Sequence, residues 1–187
     1  MCIRDRSCTA NSSPSVGFTG SGSERVVSKS TIPTGTTGTQ TVWFDPAAAA
    51  GVLLDVGGAA GTADASAADR QLYFTSTGGL AFAMRNGTSP VSCVVATSLT
   101  LHSWHFAAVT YDSSTKTFVL YLDGTTTSCS KTITTAPTGS SYVRVGDDGT
   151  IAADASTAAY SGQIDEAYSW ESWLSATQID AVRATGH

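Results

Sequence analysis

Short β-prone runs, each closed by a turn signal, recur from one end of this chain to the other. That pattern limits the fold more than any other feature. The runs fall near Val16–Thr19, Arg25–Ser28, Gln40–Phe44, Val52–Val56, Gln71–Thr75, Leu80–Arg85, Cys93–Ala96, His105–Tyr111, Thr117–Leu122, Thr127–Ile133, Tyr142–Val145 and Gly162–Trp170. Gly, Pro, Asp-Gly or Asn-Gly separates them, and this spacing predicts an all-β sandwich or barrel. Composition agrees. Ser and Thr supply 53 of the 187 residues and Gly another 18, while the helix formers Lys, Glu and Gln are few.

The clearest hairpin is TFVLYLDGTTTS. Phe118, Leu120 and Leu122 share one face, and Asp123-Gly124 supplies the turn. Just upstream, Trp104, Phe106 and Ala108 alternate with His105, Ala107 and Val109. Both faces are apolar, as in the central strands of a two-sheet stack, and Trp104 reads as a core anchor. One helix is signalled. Ser175 precedes ATQIDAVRATG with Gln178 three residues on, a capping box. Ile179 and Val182 form its apolar stripe, and Gly186 is placed for a C-terminal cap. Ala47–Ala50 reads as a turn. The small-residue stretches Gly57–Ala68 and Asp147–Thr157 read as loops.

A chain of 187 residues is long enough for one large domain with its own core. No apolar run approaches the roughly 18 residues of a membrane-spanning helix. A net charge of −5, with ten scattered Lys and Arg, argues against nucleic acid as a partner. Residues 1–7, MCIRDRS, carry no apolar signal-peptide core. They read as a non-native leader, such as a translated sequencing adapter at the edge of an environmental read, or else as a disordered terminus. The domain is expected to occupy residues 8–187. Any export signal would then be missing upstream.

Cysteines stand at 2, 8, 93 and 129, with no Cys-x-x-Cys to suggest zinc or a redox motif. Four cysteines allow three connectivities. Cys93 and Cys129, both in Ser/Thr-rich strand-like runs, are the expected pair, and Cys8 is left over or joined to something upstream. The alternative is two buried thiols. A bridge would place the protein in an oxidising compartment.

The sequence offers little for catalysis. Glu occurs only at 24, 166 and 171. Asp165 and Glu166 are neighbours on a strand, so they point to opposite faces and cannot form an acid/base pair across a substrate. Asp165 is expected to bond nearby backbone, and Asp123 to serve its turn. His102 and His105 fall on opposite sides of a strand start. No His-Glu-x-x-His, Gly-x-Ser-x-Gly or phosphate-binding loop occurs. A non-catalytic protein is expected.

The ordered series GFTGSGSERVV, TQTVWF, LAFAMRNG, SWHFAAVTYD, FVLYLDGT, VRVGDD and GQIDEAYSWESWLSATQI resembles the laminin-G-like family, over about Val16 to Gly186. Two departures are Thr19, where an Asp is usual, and Trp173, where a small residue is common. The resemblance implies a concanavalin-A-like jelly roll: two antiparallel sheets and one short C-terminal helix. It also implies an extracellular recognition module, secreted or on a cell surface, binding a glycan or protein ligand as part of a larger chain. The other readings are an adhesive spacer module or a hydrolase or lyase fragment. Acidic loops with hard oxygen ligands suit Ca²⁺. By analogy with the family's rim site, the resemblance implies Asp69 just before a strand, a carbonyl at Asn86 or Gly87, and Asp147 or Asp148 in the late loop. The plain alternative is solvated loop charge.

Overall fold

The computed structural model describes residues 15–22, 24–33, 37–57, 68–96, 98–112, 114–135, 140–146 and 152–186. In chain order its elements are β1 (Val16–Thr19), β2 (Val26–Val27), β3 (Ile32–Pro33), β4 (Gly38–Pro46), β5 (Val52–Gly57), β6 (Ala68–Phe74), β7 (Leu80–Asn86), β8 (Ser89–Ala96), β9 (His105–Asp112), β10 (Thr117–Leu122), β11 (Thr125–Thr132), β12 (Ser140–Val145), β13 (Ser161–Trp170) and α1 (Ala176–Gly186). All the runs expected from sequence overlap an observed strand. The strand not foreseen is β3, two residues long and containing a proline, which restricts it to a sheet margin.

The strands form two antiparallel sheets. The first runs β1-β13-β4-β9-β10-β11, and the second β2-β12-β5-β6-β7-β8 with β3 also pairing β12. Long-range pairing such as β1 with β13 and β4 with β9 gives the jelly-roll sandwich. Alternation decides which residues enter the space between the sheets. Val42 and Phe44 of β4, Leu72 and Phe74 of β6, and Phe82 and Met84 of β7 are all buried in one cluster. Phe82 meets Phe118 edge-on at 5.1 Å, and Phe44 meets Phe74 at 6.2 Å. Each pair links one sheet to the other.

Strand β9 is buried along nearly its whole length, as its two apolar faces predict. Ala107, Val109 and Tyr111 face the opposite sheet. The other face is covered by the helix. Phe106 and Ala108 cluster with Ile179, flanked by Trp43, Tyr121, Leu174 and Val182. Trp104 is not a core anchor. It is half-buried and sits one residue before β9, outside the pairing that would carry it inward. Phe106 takes the anchoring place instead, 5.3 Å from Trp43.

The helix begins as foreseen. Ser175 N–H donates to Gln178 Oε1 at 2.9 Å, and Gln178 N–H reaches back to Ser175 Oγ at 3.4 Å. Its other end differs. Gly186 is the last helical residue, and it lies against Trp43, where a side chain would collide with the indole. Glycine is needed there for close approach and not as a cap. The Asp123-Gly124 turn has positive φ at both residues, 50° and 81°, the geometry that the hairpin's right-handed twist favours.

Candidate functional site

Of the rim residues singled out by sequence, Asp69, Asn86 and Gly87 lie at one end of the second sheet. Asp69 is the second residue of β6, which begins earlier than its apolar run suggests. Asp69 Oδ2 accepts a hydrogen bond from Ser141 Oγ at 2.5 Å. Burial pushes the Asp69 carboxyl above its ordinary value, against the opposing pull of the Ser141 bond and of Arg70, Arg85 and Arg144.

Asn86 closes β7 at the same end. Its Oδ1 accepts from Thr134 N–H at 3.0 Å, Thr134 Oγ at 2.9 Å and Thr135 N–H at 2.8 Å. Gly87 N–H donates to Thr135 O at 2.9 Å. The Asn-Gly turn of the β7–β8 hairpin is thereby stitched to the chain leaving β11, and the side-chain oxygen of Asn86 is engaged. Asp147 and Asp148 lie outside the described residues. Gly146, the last described residue before them, donates its N–H to Leu53 O, at the opposite end of β12 from Ser141. Among the described residues, no group of three or more His, Cys, Asp and Glu side chains is arranged to hold a metal.

Cys93 is buried and disulfide-bonded. It lies on β8, the edge strand of the second sheet, and β11, the edge strand of the first, approaches β8. The side chain of Cys129, on β11, is outside the described residues, as are Cys2 and Cys8.

Several carboxylates among the described residues are tied to nearby donors. Glu24 takes both the N–H and the hydroxyl of Thr19, bonds that hold its carboxyl below the usual range. Asp112 caps the turn at Ser114. Asp165 Oδ1 accepts from Glu166 N–H at 2.8 Å, the backbone role expected of it. Strand β13 is not regular here: it bulges between Asp165 and Tyr168, and Glu166 adopts a φ of 47°. The bulge buries Glu166, whose carboxylate bonds the Tyr168 hydroxyl.

Two interactions escaped sequence reading. Asp55 and Arg144 are register partners across β5 and β12 and form an ion pair with both side chains fully buried. Each is the one charged residue in its strand, VLLDVG and SSYVRV, and opposite charges in two such strands were the available signal. Tyr73 donates its hydroxyl to Asp154 Oδ1 at 2.8 Å, fastening the described part of the late loop over the outer face of β6. Ala152 and Ala155 pack there against Val52, Tyr73, Ala81 and Ala83. Burial raises the Tyr73 hydroxyl well above its ordinary value.

The two-sheet stack, its helix-covered first sheet and its loop-bearing rim define the class of lectin-type jelly rolls. The sequence matches the family Laminin_G_3, of the concanavalin A-like lectin/glucanases superfamily, over residues 18–180, and the chain belongs to it. No curated protein matches. Solved structures share the fold at low identity. A heptameric SAP-like pentraxin from Limulus polyphemus superposes with a TM-score of 0.63 at 14% identity, covering 89% of this chain and 78% of that one. The CBM40 of the Ruminococcus gnavus IT-sialidase gives 0.60 at 18% identity, covering 87% and 99%. The extracellular region of zebrafish Gpr126/Adgrg6 gives 0.63 at 18% identity, covering 89% of this chain and 22% of that one. Among the described residues no helix is long and apolar enough to cross a membrane.

Proposed function

We propose that this domain is a non-catalytic recognition module that binds a glycan or an extracellular protein through its rim loops. The observation that carries the reading is the engagement of five carboxylates among the described residues. Glu24, Asp112, Asp123, Asp165 and Glu166 are each tied to a backbone group or a neighbouring side chain, so none is poised across from a partner as hydrolysis requires. The fold supports it as well, since the Ruminococcus gnavus CBM40 has been solved bound to α2,3-sialyllactose. Fold likeness alone does not transfer a ligand, and rim loops on such scaffolds vary freely. Secretion or surface display accords with the disulfide at Cys93.

Calcium is part of the proposal. Asp69 and a carbonyl at Asn86 or Gly87, at one end of the second sheet, are the ligands it would use, whereas Asp147 and Asp148 follow Gly146 at the opposite end of β12 and are not part of this set. A glycan array probed with and without Ca²⁺ tests both parts. Saturable binding that weakens on chelation supports the full reading, and binding indifferent to chelation removes the metal. Absence of glycan binding together with concentration-dependent self-association in sedimentation would favour an adhesive spacer.

A further inference from the structure

His105, the first residue of β9, is 8% exposed, and both nitrogens of its ring are engaged. Nδ1 lies 2.8 Å from Asp123 Oδ2, in the turn between β10 and β11. Nε2 lies 2.9 Å from Thr100 O, in the segment that precedes β9. Both partners are acceptors, since a carbonyl never donates and an ionised carboxylate has no proton to give. A neutral imidazole carries one N–H and serves one of them, whereas an imidazolium serves both. Moving the proton to Asp123 would leave the pair with the same number of protons, and a carboxyl is the stronger acid of the two. Other groups stand around the ring. Phe44, its register partner on β4, packs at 5.6 Å, and Asp45 next along β4 points to the opposite face. From α1, Arg183 lies over the Asp123-Gly124 turn, where a Cβ on Gly124 would stand 2.8 Å from its Nη2, with Asp180 3.7 Å from its Nε. His102 precedes the ring on the same segment, and its N–H donates to Pro46 O.

We infer that His105 is a proton-operated latch on the rim segment 98–104. With two ring protons it ties Thr100 to the Asp123 turn. On losing one it keeps the carboxylate, the stronger partner, and releases the Thr100 carbonyl to water. The segment then retains the His102 bond to Pro46 and the packing of Leu99 on the core. Leu101, 40% exposed between those ties, is the residue whose setting changes most. Acid therefore fastens this rim loop and alkali loosens it, whatever ligand the rim takes.

Nitrogen-15 spectra of the histidine rings, recorded from about pH 5 to 8 and onward until the domain unfolds, test the latch directly. At the acid end both ring nitrogens of His105 should show the protonated shift. As the ring titrates, Nε2 should lose its proton while Nδ1 keeps its own. The amide of Leu101, which is joined to the Thr100 carbonyl, should shift in the same step. Asp123→Asn removes the charge beside Nδ1 and should move the step to lower pH, whereas His102→Gln should leave it in place. If Asp123→Asn does not fold, the wild-type spectra decide alone. A ring that keeps one protonation state for as long as the domain is folded would overturn the inference. So would a proton lost from Nδ1 first, or a Leu101 amide indifferent to the step.

Discussion

His105 Nδ1 lies 2.8 Å from Asp123 Oδ2, which ties the first residue of β9 to the turn between β10 and β11. The other oxygen of Asp123 accepts Phe106 N–H at 2.8 Å, and Asp123 N–H donates to Phe106 O at 2.9 Å. On its far side, the His105 ring meets Thr100 O through Nε2 at 2.9 Å. One aspartate thus fixes a turn, a strand start and, through the imidazole, the segment before that strand. The Trp-His pair and the Leu-Asp-Gly turn, separate in sequence, are two halves of this one junction.

Asp123 should therefore be costly to lose and partly replaceable by asparagine. Asp123→Ala removes two acceptors and puts alanine at a positive φ, for a loss of about 2–4 kcal/mol. Asp123→Asn keeps one acceptor for Phe106 N–H and tolerates the left-handed backbone, so it should lose less than half of that. Urea unfolding of the two variants gives the comparison. Equal losses would mean that the carboxylate does not organise the junction.

The Asp55–Arg144 pair should behave as a unit. Arg144→Met leaves a buried carboxylate without its cation and should destabilise by about 3–5 kcal/mol. The double variant Asp55→Leu with Arg144→Met should recover most of that, since two apolar side chains cost little to bury. A double-mutant cycle by chemical denaturation measures the coupling. Additive losses would show that the two charges do not depend on each other.

Asp69 predicts a pH dependence of known sign. Its carboxyl holds its proton to higher pH in the folded chain than in the unfolded one, where release occurs near about 3.9. The folded state then binds more protons through that window, so this group's contribution to stability falls as pH rises through it. Asp69→Asn keeps an acceptor for Ser141 and carries no charge. In chelator, its melting temperature should exceed that of wild type at neutral pH, with the gap closing in acid below the unfolded value. A gap independent of pH would assign the effect to packing.

Calcium should reverse that ranking if the rim holds the ion. A metal bound only to the folded state at a hundredfold excess over its dissociation constant adds about 2.7 kcal/mol. Wild type should gain melting temperature with Ca²⁺ and less with Mg²⁺, which demands a stricter octahedron and holds its water more tightly. Asp69→Asn should gain little. Matching gains in both proteins would move the ion away from Asp69.

Cys129 is the expected partner of Cys93. The bridge would close a loop of 35 intervening residues and join the edge strands β8 and β11 of opposite sheets. Chain-entropy arguments value such closure at roughly 3–4 kcal/mol. Peptide mapping without reduction should recover the linked pair. Recovery of Cys93 linked to Cys8 would reassign the bridge and detach it from β11.

Local sequence determined the strands, the hairpin turn and the helix start, because each depends on neighbours within a few residues. Alternation placed Phe118 and Leu120 inward, Asp123-Gly124 supplied a turn with two positive φ angles, and Ser175 with Gln178 set the capping box. Tertiary structure decided whatever depends on a partner far along the chain. Trp104 lies at a strand start, yet the pairing begins one residue later and Phe106 takes the buried place. The bulge at Glu166 is set by β13 matching β4 with one residue too many, which alternation along one strand cannot reveal. Asp55 and Arg144 stand 89 residues apart, and only the register of β5 against β12 makes a buried charge in each strand tolerable. The same holds for Gln40 and Arg70. Each looks like an ordinary polar residue in a strand until the two sheets close and bury them beside one small cavity.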